Sequence, residues 1–344
     1  MKQLLNTLYV TTEGAWLRLE GETLVVMIEK EKRLQVPLHH LGGIVCLGRV
    51  NMSSALMARC MDDGRNIVWL NEQGRFQARV EGPVSGNILL RQAQYRTADD
   101  PKKSLELARA FIAGKLRNSR QVLLRSARDN KSQDESDALK KAADAIAINL
   151  RNLEHAENID TIRGLEGDSA RVYFEQVNHM LSPSVRKVFS FETRNRRPPR
   201  DPINALFSFL YALLLTDCRS ALESVGLDSQ LGFLHTVRPG RHALALDLLE
   251  EYRAVFGDRL AFTLVNRGQI GKKDFDFNPG GSVLLNDAGR KKLLVAYQER
   301  KKETLLHPVL EQKVEIGLIP LLQARLLARC LRGDAPAYIP YLHK

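Results

Sequence analysis

An α+β chain is expected, with a small N-terminal β-rich domain followed by a large all-α domain, and three observations predict it. Short strand-like runs crowd the first eighty residues, Gly82-Pro83 and Gly86-Asn87 then interrupt the pattern, and helical spacing takes over from Asp100. In the first part, Trp16, Leu17 and Leu19 run into Glu20-Gly21-Glu22, and Leu24–Ile28 follows, which reads as a hairpin. The opening MKQLLNTLYVTTEG reads as a strand rather than a signal peptide. Leu34, Val36 and Leu38 alternate, and Ile44–Leu47 is a short buried run. Residues 53–63 have helical spacing and stop at Gly64. Ile67–Leu70 and Phe76–Val80 flank a second turn, so this part should form a small sheet or sandwich with one helix. The boundaries expected are a β-rich domain over 1–85, a linker over 86–100 and an α-helical domain over 101–344.

The helices declare themselves mainly at their starts. Asp100-Pro101 and Asp201-Pro202 each place a capping carboxylate before a proline whose missing N–H costs nothing at the first helical position. The first opens a basic helix to about residue 128, with Lys102, Lys103, Arg109, Lys115, Arg117, Arg120, Arg125 and Arg128 against one Glu106. Further helices are expected over about 136–157, 160–180, 202–226, after Pro239-Gly240, and over about 305–331. Pro320 should kink or split the last one. The most apolar stretch, Ala205–Leu215, is too short to span a bilayer.

Charge points to a polyanionic partner. The net charge is +11, yet residues 1–85 hold 10 basic against 9 acidic side chains, so nearly all the excess lies in the C-terminal three-quarters. A basic surface of this kind favours nucleic acid. The four cysteines, Cys46, Cys60, Cys218 and Cys330, form no close pair, which argues against a zinc site or a disulfide framework and fits a reducing cytoplasm. Arg186, Lys187, Arg194, Arg196, Arg197 and Arg200 surround two prolines and interleave with Phe189 and Phe191. That segment reads as a phosphate-binding loop with rings for base stacking, or as a solvated basic loop. Asn286–Lys302 is a second basic stretch.

Three places carry candidate chemistry. Glu166 stands between Gly164 and Gly167 inside a helical pattern, where each glycine costs about 1 kcal/mol relative to alanine. That cost suggests a close approach to the backbone, the plainer reading being a surface Glu at a kink. His235 follows Phe233-Leu234 and is either a core histidine or a ligand. Asp247 and Glu250 are three apart and share a helix face, although first-turn acids also serve the helix dipole. Two carboxylates and an imidazole make an oxygen-and-nitrogen donor set suited to Mg²⁺ or Mn²⁺, the nitrogen favouring Mn²⁺. A basic protein with such a site is a coherent phosphodiester nuclease or transesterase. Without a cation the carboxylates should repel, so removing one should hold or raise stability.

The run Asp201-Pro-Ile-Asn204-Ala-Leu-Phe-Ser-Phe-Leu-Tyr211, then Gly232-Phe-Leu-His235, then Leu244-Ala-Leu-Asp247-Leu-Leu-Glu250, resembles the CRISPR adaptation integrase, the larger of the two core spacer-acquisition proteins. Leu165-Glu166-Gly167 with Ala170-Arg171-Val-Tyr173 matches the family's upstream acidic position, and Gly86-Asn87-Ile-Leu-Leu90 the approach to its helical domain. The run at 213–218 suggests subtype I-C. The resemblance spans nearly the whole chain. It implies a β-rich dimerisation domain, an all-α catalytic domain, and metal ligands at Glu166, His235 and Glu250. Many relatives carry Asp at the last position, so Asp247 stands as a further ligand or as the group behind one. The implied reaction is attack by the 3′-hydroxyl of a short DNA fragment on a phosphodiester at a CRISPR repeat boundary. The implied partners are DNA, a second copy of the chain, and a small ferredoxin-like adaptation protein; no membrane is expected. The alternatives are a stand-alone nuclease for branched DNA and a non-catalytic nucleic-acid scaffold.

Overall fold

The computed structural model describes residues 6–72, 74, 76–82, 88–195 and 197–343. The N-terminal part holds strands β1 (Thr7–Val10), β2 (Trp16–Glu20), β3 (Thr23–Ile28), β4 (Glu31–Pro37), β5 (Gly43–Leu47) and β6 (Asn51–Met52). Helix α1 (Ser54–Asp62) and strands β7 (Asn66–Leu70) and β8 (Phe76–Val80) complete it. They form two four-stranded sheets, one in the order β1-β5-β7-β8 and the other β4-β3-β2-β6. The expected hairpin is present: β2 and β3 pair antiparallel from Trp16↔Met27 to Glu20↔Thr23, turning at Gly21 with φ of 57°. Helix α1 begins where Ser53 accepts the Leu56 N–H and ends before the left-handed Gly64.

Strand alternation explains how the two parts join. In β5, Ile44 and Cys46 face the core shared with the second sheet and α1, whereas Val45 and Leu47 face the helices. In β7, Ile67 and Val68 divide in the same way. A strand buried on both faces needs the continuous apolar run that these two show. The first sheet is therefore a shared layer: its far face belongs to the main helical core.

That core is built by α2 (Ile88–Asp99), α3 (Pro101–Asp129), α4 (Gln133–Glu154), α5 (Ile159–Phe174), α6 (Val177–Met180), α7 (Arg186–Phe189) and α8 (Pro202–Ser224). It continues through α9 (Ala243–Glu250), a π-helical turn over 253–258, α10 (Arg259–Asn266), α11 (Asp287–Lys302) and α12 (Ile319–Arg332). The segment 86–100, expected as a linker, carries α2. Both Asp-Pro starts hold: Asp100 accepts the Lys102 and Lys103 N–H groups, and Asp201 accepts that of Asn204. Among the described residues, α8 is the one helix long and apolar enough to cross a membrane, and 61% of that stretch is buried inside the protein.

The domain after residue 100 is not all-α. Small hairpins pair β9 (Phe275–Phe277) with β10 (Val283–Leu285) and β11 (Thr304–Leu306) with β12 (Lys313–Glu315). The last helix is shorter than expected for this reason. Apolar spacing from Leu305 onward belongs first to a hairpin, and Pro320 stands in the first turn of α12 instead of kinking a longer helix. Helix α5 runs unbroken through Gly164 and Gly167, and a Cβ at either would meet no other atom of the chain. The close approach expected there is not made by this chain. Gly86, Asn87 and Arg196 lie outside the described residues.

Candidate active site

Three helices aim charged groups inward at one place. On α5, Ile162, Glu166, Ser169 and Tyr173 fall three to four residues apart, and all but Glu166 are buried. Glu166 is therefore on the inward face, not the solvent face. On α3, Lys115 interrupts the buried stripe of Ala108, Phe111, Ile112 and Leu116 and is itself buried. On α9, Asp247 and Glu250 are both buried.

A buried charge needs a partner, and these find one another. The Lys115 ammonium donates to Glu166 and, at 2.7 Å, to Glu250 Oε2. Arg253 Nη1 donates to both Glu250 oxygens, at 2.7 and 3.0 Å, and its guanidinium lies 4.5 Å over the Tyr211 ring. Burial alone would push the Glu250 carboxyl up, but Arg253, Lys115 and His235 together hold it down at about 2. The expectation that like charges crowd here is thus overturned, since two cations already offset the acids.

Asp247 has a different role. It has no exposed surface. Its Oδ2 accepts the N–H groups of Phe233 and Leu234 at 2.6 and 3.1 Å. Its Oδ1 accepts the His235 N–H at 3.0 Å and faces His235 Nδ1 at 2.6 Å. In the neutral ring, a carboxylate facing Nδ1 keeps the proton on that nitrogen and leaves Nε2 as the free lone pair. The structure thus places Asp247 behind His235, as a group that holds its loop and faces its ring. Gly232 makes this possible: a Cβ there would lie 2.7 Å from Asp247 Oδ2 and from the Ala243 carbonyl carbon. Arg163, one turn before Glu166, donates to the Leu234 carbonyl at 2.7 Å and ties α5 to the same loop.

Glu166, His235 and Glu250 line one cleft of about 710 Å³, and Arg194, Arg197, Arg241 and Arg253 line it with them. Glu72 and Phe76 add a wall from the β-rich part. Among the described residues, no group of three His, Cys, Asp or Glu side chains stands in coordinating geometry. The donor chemistry still suits a divalent cation, because both carboxylates converge on one positive charge, the Lys115 ammonium, beside an imidazole oriented from behind.

The basic segment divides. Arg186 is bonded to Glu135, at 2.5 and 2.7 Å, and to the Leu181 carbonyl. Phe189 and Phe191 are buried and pack on Phe275 and Phe174, so neither ring can stack on a base. Lys187, Arg197 and Arg200 are exposed. Arg194 is half-buried, bonded to Asn204 at 2.6 Å and 5.4 Å over the Tyr211 ring. Glu251, just after α9, is also buried: burial pushes its carboxyl up to about 8 although Tyr338, the Tyr341 N–H and Gln323 donate to it. It anchors the C-terminal tail. Lys115, Arg163, Tyr211 and Arg253 were not singled out from sequence. A lysine inside the apolar stripe of α3 was the available signal, hidden by the other cations of that helix.

The profile of the family described as CRISPR associated protein Cas1 matches residues 8–299. A CRISPR-associated endonuclease Cas1 of Moorella thermoacetica is 52% identical over 344 residues, covering all of both chains. Among solved structures, a casposase bound to integration product superposes with a TM-score of 0.83 at 22% identity, over 98% of this chain and 94% of that one. A Cas6-RT-Cas1–Cas2 complex contains a chain that superposes with a TM-score of 0.82 at 21% identity, over 99% of this chain and 36% of that one. At those two identities the likeness is one of fold. The match across the profile and the full-length identity settle the family: the chain belongs to the Cas1 CRISPR-associated proteins.

Proposed function

We propose that this chain is a divalent-cation-dependent DNA integrase that inserts short DNA fragments into a CRISPR array, the 3′-hydroxyl of the fragment attacking a phosphodiester at the repeat boundary. The observation that carries this is the convergence of Glu166 and Glu250 on one cation position in a cleft that His235 also lines. Glu166, Glu250 and His235 Nε2 would hold Mg²⁺ or Mn²⁺, which when bound offsets charge at the attacked phosphorus and activates the oxygen nucleophile. Asp247 fixes the ring and its tautomer, and Arg253 fixes the Glu250 carboxylate. Arg194, Arg197 and Arg241, lining the same cleft, meet the phosphates on either side, with Lys187 and Arg200 further out.

The names of the relatives support endonuclease chemistry, and the casposase supports strand transfer on this fold. The Cas6-RT-Cas1–Cas2 complex supports assembly with a second CRISPR-associated protein, which we take to be the small ferredoxin-like adaptation protein. Two copies of this chain would pair through the β-rich part, in the cytoplasm where DNA is met, and the 213–218 run favours subtype I-C. The test is a supercoiled plasmid carrying repeats, a short DNA fragment with free 3′ ends, the partner protein and Mn²⁺. Joined fragment–plasmid product is expected. Nicks without joining would favour a nuclease for branched DNA, and binding without any cut a scaffold.

A further inference from the structure

Lys115 has no part in the roles assigned to the other cations of the cleft. It comes from α3, away from the loops that carry the cleft's arginines, and its charged end is buried between two carboxylates from two other helices. Those carboxylates are the proposed cation ligands, and any role for Lys115 in metal binding rests on that reading. An ammonium and a divalent cation cannot share the position between Glu166 and Glu250. Beside Lys115 lies a small cavity of about 20 Å³, walled largely by apolar side chains such as Leu116 and Phe174, into which Ser119, Ser169, Tyr211, Asp258 and Arg253 also reach. That is room for one water-sized group, and its hydroxyls and carboxylate are acceptors for an ammonium. A lysine head rides on a flexible four-carbon stem and can change position while its backbone stays fixed.

We propose that Lys115 is an internal counter-ion with two positions. In the metal-free protein it bridges Glu166 and Glu250 and keeps the two acids together; when a divalent cation enters, it withdraws into the adjoining cavity, toward Ser119, Ser169 and Asp258. Lys115 thereby sets the metal affinity of the site and holds the ligands in place before the metal arrives. This is a positioning role, because the ammonium leaves the reacting region in the metal-bound protein.

The experiment measures Mn²⁺ binding to the full-length protein, without DNA, by calorimetry and by the loss of the free-ion paramagnetic resonance signal. Wild type, Lys115→Met, Lys115→Gln, Ser119→Val, Arg241→Met and Glu166→Gln are compared, with melting temperature recorded for each. Lys115→Met and Lys115→Gln should bind Mn²⁺ tighter by about tenfold or more, since a competing charge has gone. Gln keeps a hydrogen-bond donor between the acids and guards against misfolding of the Met variant. Ser119→Val, which narrows the cavity, should weaken binding by roughly threefold. Arg241→Met removes a cation that lines the cleft but is not between the carboxylates, and should change affinity less than about twofold, as screening allows. Equal or weaker binding by both Lys115 variants, or equal tightening by Arg241→Met, would overturn the proposal. Binding by wild type that Glu166→Gln leaves intact would instead overturn the ligand reading on which it stands.

Discussion

The carboxylate of Asp247 allows a sharp test, because a ligand and an orienting group respond oppositely to its removal. Asp247→Ala deletes the acceptor of three backbone N–H groups, those of Phe233, Leu234 and His235, and of the His235 ring. Each buried donor left without an acceptor costs about 1–3 kcal/mol, and breaking a buried ion pair from one side costs about 3–5 kcal/mol. The contributions are not additive, since the loop will relax and His235 reaches solvent at the cleft. A loss of about 3–5 kcal/mol in metal-free buffer is expected, read from urea unfolding of wild type and variant under identical conditions. Strand transfer should fall with it, and remain low at temperatures where the variant is fully folded, because Nδ1 no longer has the partner that fixes the ring. Gly232→Ala should act in the same direction, by about 1–3 kcal/mol, since its methyl would strike Asp247 Oδ2 and the start of α9. If Asp247→Ala lies within about 1 kcal/mol of wild type in the absence of metal, the carboxylate is not holding this loop and the account of His235 fails.

Three further outcomes are expected from the same geometry. Glu250→Gln should destabilise the metal-free protein by about 3–5 kcal/mol, because it leaves the Lys115 and Arg253 cations underpaired in the interior, whereas the more exposed Glu166→Gln should cost less than about 1.5 kcal/mol; both should abolish plasmid nicking, and His242→Ala, whose ring bonds Ser229 behind Phe76 and does not line the cleft, should keep it. Burial raises the Asp258 carboxyl from 3.8 to about 6 even though Tyr211 donates to it and Arg253 lies nearby. The fold therefore binds a proton that the unfolded chain has released between those values, and stability should fall by about 3 kcal/mol as pH rises from about 4 to 6. Asp258→Asn should flatten that slope in urea titrations at several pH values, and an unchanged slope would assign it to another group. Trp16 and Leu34 expose apolar surface on the near-neutral β-rich part, so light scattering should show a dimer that Leu34→Glu weakens; an unaltered mass would move the interface elsewhere.

What was legible from sequence is what local physics decides. The short apolar runs of β5 and β7, the Asp-Pro starts of α3 and α8 and the glycine after α1 depend only on neighbours within a turn or a strand, so they could be read directly. The order of Glu166, His235 and Glu250 along the chain was legible too, through resemblance to the Cas1 family. Local physics failed where two elements compete for the same apolar residues. The spacing from Leu305 onward suits a helix, yet tertiary pairing of Leu305 with Val314 makes a hairpin of it, and only then does Pro320 become a helix start. Phe189 and Phe191 look like stacking rings beside arginines until the fold buries both.

The electrostatics of the site belong to the tertiary structure alone. Lys115, Glu166, Glu250 and Arg253 come from three helices and the π-helical turn after α9, and no spacing in the chain predicts that one ammonium will sit between two of the acids. Asp247 and Glu250 share a helix and differ by one methylene, which makes them near-equal candidates from sequence. The fold separates them by what each faces. One carboxylate meets the backbone N–H groups of the loop after Gly232 and is used up in holding it. The other meets two cations and faces the cleft, where we propose that a metal takes the place of the ammonium.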